Sequence, residues 1–117
     1  MTTQTHLAFV TLRDQRDEDG TRKLEAEWRM GGAIAIEGTD VGPGVSRFWG
    51  KGNSRYEWEW SIGPAAIPAM IAALGGAPGD DPLALLKAWY DAGPGRDPGI
   101  DLQKAGVPVQ MWSSLDD

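Results

Sequence analysis

Polar and apolar residues alternate along several short stretches before any helical spacing begins. Residues 7–13 (LAFVTLR) mix β-branched and aromatic side chains with no helical period, which predicts a first strand. In 23–30, Leu24, Ala26, Trp28 and Met30 fall on one side, and Glu25, Glu27 and Arg29 on the other. A period of two predicts a half-buried second strand that runs on through Met30. Gly31-Gly32 predicts a tight turn, since glycine accepts positive φ. Residues 33–37 predict a third strand with Ile34 and Ile36 on one face. The clearest alternation is 56–62 (YEWEWSI), with Tyr56, Trp58, Trp60 and Ile62 against Glu57, Glu59 and Ser61. The polar run 14–22, with its Asp19-Gly20 turn signal, predicts a long exposed hairpin loop. Residues 38–55 hold five glycines and Pro43, which predicts a long irregular segment of the kind that tends to be functional or mobile.

The period then changes. Ile67, Met70, Ile71 and Leu74 follow helical spacing after Pro64, and Gly75-Gly76 stops the run. Asp81 followed by Pro82 opens a second helix with Leu83, Leu86, Trp89 and Tyr90 as its apolar stripe. Asp97-Pro98 opens a short third helix that Gly106 closes. Val107, Val109 and Met111 alternate, predicting a last strand over 107–112. Pro108 cannot donate a ladder hydrogen bond, so that strand belongs at an edge or Pro108 at its start. The expected fold is a single α+β domain over 1–117. It is an antiparallel sheet of four to five strands with two or three helices packed on one face.

Composition narrows the chemistry. The 117 residues include six Trp and no Cys, so disulfides, thiolate zinc sites and a Cys nucleophile are excluded. The net charge is −6, and all of it lies in residues 56–117, which carry three basic and nine acidic side chains. An acidic half repels phosphate backbones and attracts basic partners. The expectation is therefore no nucleic-acid partner. No stretch nears the roughly 20 apolar residues of a membrane span. The N-terminus lacks a basic segment leading into an apolar run. The expected location is cytoplasmic.

Candidate chemistry is sparse. His6 is the only histidine and sits near a terminus. The pairs Glu25/Glu27 and Glu57/Glu59 stand about 7 Å apart along their strands, a spacing open to a hydrolase pair or a hard cation. It is equally the pattern of a solvated sheet face, where two such ladders repel unless Arg29 or Arg55 comes between them. Residues 44–52 imitate a phosphate-binding loop but space the glycines one residue too far apart and place Gly52 where Ser or Thr is needed. Residues 17–20 lack the later ligands of a calcium loop. Asp40 is read as a loop carboxylate that caps its own backbone, and Ser113-Ser114 has no nearby His or Lys. Trp49 and Trp112 are candidate exposed anchors. No catalytic residue, metal ligand or cofactor site is assigned.

The blocks GGAIAIEGTDVGPGVSRFWG (31–50), YEWEWSIGPAAIPAMIAALGG (56–76) and VPVQMWSSL (107–115) resemble a widespread type of small uncharacterised α+β protein from high-GC bacteria. In size and style the chain is also similar to immunity proteins of bacterial toxin systems. That likeness implies a non-catalytic module that binds a basic toxin or effector. Its surface would steer with Glu57, Glu59, Asp80, Asp81 and Asp91 and anchor with Trp49 or Trp112. Two alternatives stay open. One is a structural homodimer paired through an edge strand at 107–112 or 7–13. The other is a carboxylate-dependent metal enzyme using Glu25, Glu27, Glu57, Glu59 or Asp40.

Overall fold

A computed structural model describes residues 6–43, 45 and 54–116. Among them five strands form one antiparallel sheet in sequence order: β1 Phe9–Asp17, β2 Gly20–Trp28, β3 Ile34–Val41, β4 Arg55–Ile62 and β5 Gln110–Asp116. Three α-helices, α1 Ile67–Ala73, α2 Pro82–Ala92 and α3 Pro98–Lys104, lie between β4 and β5 in sequence and cover one face of the sheet. The α+β architecture expected from the alternation is the one found.

The core forms where the two periods meet. Leu24 and Ala26 of β2, Ile34 and Ile36 of β3, and Trp60 and Ile62 of β4 pack against Met70, Leu83, Leu86, Tyr90 and Leu102 of the helices. Burying each large aliphatic side chain contributes about 1.5–3 kcal/mol. Trp60 packs directly on α3 at Gly99, where a Cβ would lie 1.9 Å from the indole. Asp81 and Asp97 cap α2 and α3 by accepting from the backbone N–H groups two and three residues on.

Four boundaries differ from the sequence reading. Residues 14–22 are not a long loop: β1 and β2 continue to a turn at Glu18-Asp19, with Asp14 opposite Lys23 and Arg16 opposite Thr21. Of the charges that look like a loop, Asp14 faces Lys23 across the strand pair, while Arg16 and Asp17 face Thr21 and Gly20. β2 stops at Trp28, and Met30 turns into solvent at 99% exposure within a 3-10 turn closed by Arg29 N–H donating to the Ala33 carbonyl. β3 runs on to Val41 through Gly38, which is needed there because the Trp58 ring lies across it, 2.0 Å from where a Cβ would stand. β5 begins at Gln110, beyond Pro108, while Val107 ahead of it is buried in the core.

Candidate protein-docking face

Strand alternation assigns the two faces of the sheet. Because Ile36, Trp60 and Ala26 point to the helices, Glu25, Glu37 and Glu59 point away, and they stand opposite one another across β2, β3 and β4. The next residue in that row is Trp112 on β5, directly opposite Glu59 and 56% exposed. Glu27 and Glu57 flank the row on the same face.

Adjacent strands lie about 4.8 Å apart, so three carboxylates in a row repel unless cations intervene. The cations are local. Arg29 leaves the end of β2 and holds Glu59 at 2.9 Å, Glu27 at 3.4 Å and also Glu37. Arg55 Nε donates to Glu57 at 2.8 Å, and Lys23 lies 3.9 Å from Glu25. These ions are all partly solvated, so each pair contributes about 0–1 kcal/mol. The face is therefore a solvated ion lattice rather than a cation cage. Among the described residues no group of three or more His, Asp or Glu is placed to hold a metal ion.

The sequence-derived site residues divide. Glu57, Glu59 and Trp112 share this outer face. The three aspartates belong to the helical layer on the other side. Asp81 accepts Leu83 N–H at 3.0 Å with one oxygen and Leu7 N–H at 2.7 Å with the other, which ties the N-terminal segment to α2. Asp80 accepts Ala77 N–H at 2.8 Å in the loop before α2, and Asp91 pairs with Lys87 one turn earlier at 2.9 Å. Trp49 lies outside the described residues. The sequence reading did not single out Glu37 as a site residue, although its place beside Ile36 already put it on the polar face.

A second polar group occupies the helix-side face near the β1–β2 turn. Asp40 is not in a loop but in β3, opposite Arg22 on β2 and Tyr56 on β4. Its Oδ1 is buried and has no hydrogen-bond partner among the described residues. Burial raises its pKa above the ordinary aspartate value, opposed by the positive charges of Arg13 and Arg22. A bulge between Thr11 and Arg13 lets Arg13 face the helices, where its Nε donates to the Tyr90 hydroxyl at 2.8 Å. Tyr56 stacks on Trp58, with ring centres 5.2 Å apart. His6 lies against Trp28 with its Nε2 3.3 Å from the Gly79 carbonyl. Among the described residues no helix is long and apolar enough to cross a membrane. No family model, no curated protein and no solved structure matches the chain, which leaves these residues and their geometry to carry the functional reading.

Proposed function

We propose that this chain is a non-catalytic protein-binding module of the cytoplasm that holds a basic protein against the outer face of its sheet. In its finer form it is an immunity-type inhibitor that occludes a basic toxin or effector. One observation carries the reading: Glu25, Glu37 and Glu59 line up across three strands and end on the half-exposed indole of Trp112. The five carboxylates of this face, Glu25, Glu27, Glu37, Glu57 and Glu59, outnumber the three cations paired with them, Lys23, Arg29 and Arg55, and the surplus negative charge steers a cationic partner and speeds its encounter. A neighbouring Trp supplies the large apolar anchor that typically dominates interface energy. The same acidity disfavours nucleic acid as the partner.

The test is reconstitution. The partner is isolated from source cells on the tagged chain, identified, purified separately and bound again at low and high salt. Trp112→Ala should weaken binding about thirtyfold, the scale of an interface hot spot. Glu59→Lys should slow association and flatten the salt dependence. Both variants binding like the parent would remove the outer face from the function.

A further inference from the structure

The two edges of the sheet are built differently. β1 is blunted: it carries a bulge between Thr11 and Arg13, and four of its last five residues are charged. These are the usual devices that stop an edge from pairing with another chain. β5 has none of them. Its register with β4 is unbroken from Gln110 to Asp116, it holds no proline, and its first charged residue is the last. Met111, Trp112 and Leu115 stand 47%, 56% and 37% exposed along it. Beside its N-terminal end opens a groove of about 650 Å³ walled by Ala65, Ala66, Ala69, Pro108 and Val109.

We propose that β5 pairs antiparallel with β5 of a second copy, joining two sheets into one of ten strands. The strand is complementary to itself. A two-fold axis perpendicular to the sheet keeps each face on its own side. Directly opposed residues must then share a face, so the axis passes through a residue and not between two. The midpoint of Gln110–Asp116 is Ser113. Centring the axis there uses the whole strand and sets Ser113 against its own copy. Met111 then meets Leu115 of the second copy on the helix side, twice over. Trp112 meets Ser114 on the outer side, and no like charges oppose each other. Moving the axis to Ser114 instead sets Trp112 against Asp116. Moving it to Trp112 sets Leu115 against Val109, which precedes the strand. The Ser113 register also brings Leu115 of the second copy toward the apolar groove beside Val109. The pairing depends on the edge alone and stands whether or not the outer face takes a basic partner.

A single strand pair is smaller than the roughly 1,200 Å² of a standard stable interface, so the dimer dissociates in the micromolar range or above. Light scattering on the full chain at about 1 mM should give close to twice the 12.6 kDa of one chain. Met111→Lys should return it to one. The chain has no cysteine, so Ser113→Cys introduces a single thiol. Opposed residues in an antiparallel pair lie about 4.5–5.5 Å apart between Cα atoms, within the reach of a disulfide. Diamide should therefore take two protons and two electrons from the paired thiols and link Ser113→Cys into a covalent dimer. Thr11→Cys on the β1 edge should stay single. A 12.6 kDa particle at the highest concentration, or equal cross-linking at both edges, would overturn the proposal.

Discussion

The two faces of the sheet share one backbone and obey opposite rules. Ile36 and Glu37 are consecutive in β3, yet Ile36 is sealed under the helices and Glu37 lies in a solvated lattice with Arg29. On the inner face the side chains hold the fold together and have no freedom to serve a partner. On the outer face they contribute little to the fold, and it is there that the proposed docking falls. Asp40 blurs the division, because it is a carboxylate placed on the helix side.

The largest expected effect breaks the inner face. Ile36→Ala should cost about 2–5 kcal/mol in urea unfolding, through lost burial and the cavity left behind. Gly38→Ala should come next, at about 1–3 kcal/mol, because its methyl group collides with the Trp58 ring, which packs against the core. Asp81→Ala should cost about 1–2 kcal/mol, losing the α2 cap and freeing Leu7. Asp40 tests the exception. Its folded pKa lies above the unfolded value, so the folded state holds the extra proton. Stability from this group is present below the unfolded pKa near 3.8 and is lost as pH rises through the folded pKa. Asp40→Asn should therefore be more stable than the parent at neutral pH, and the gap should close on acidification. The smallest effect belongs to the outer face: Glu37→Gln should change stability by no more than about 0.5 kcal/mol. If it approached Ile36→Ala, the division of labour between the faces would fail.

Much of the fold was legible because period two and period 3.6 are local signals. Residues 24–28 and 56–62 declare their buried sides, and Asp81-Pro82 and Asp97-Pro98 declare their helix starts. What stayed hidden depends on partners distant in sequence. The charges of 14–22 imply a strand pair only once Asp14 is seen opposite Lys23. Gly38 reads as the start of a loop until Trp58, twenty residues on, is seen lying over it. The site was legible to the same extent. Alternation puts Glu57 and Glu59 on a polar face and marks Arg29 and Arg55 as charges able to separate the two ladders. It could not show that β3 brings Glu37 between them, nor that β5 sets Trp112 beside Glu59. Asp80 and Asp81 carry charge in the sequence but spend it on backbone N–H groups, which net charge does not reveal.

The outer face as a docking surface is tested most directly by titrating the isotopically labelled chain with a lysine-rich peptide and following amide and indole resonances. The account predicts shifts concentrated at Glu25, Glu37, Glu59 and the Trp112 indole, fading with salt, with the helices silent. Shifts centred on α1–α3, or none on the outer face at saturating peptide, would contradict it.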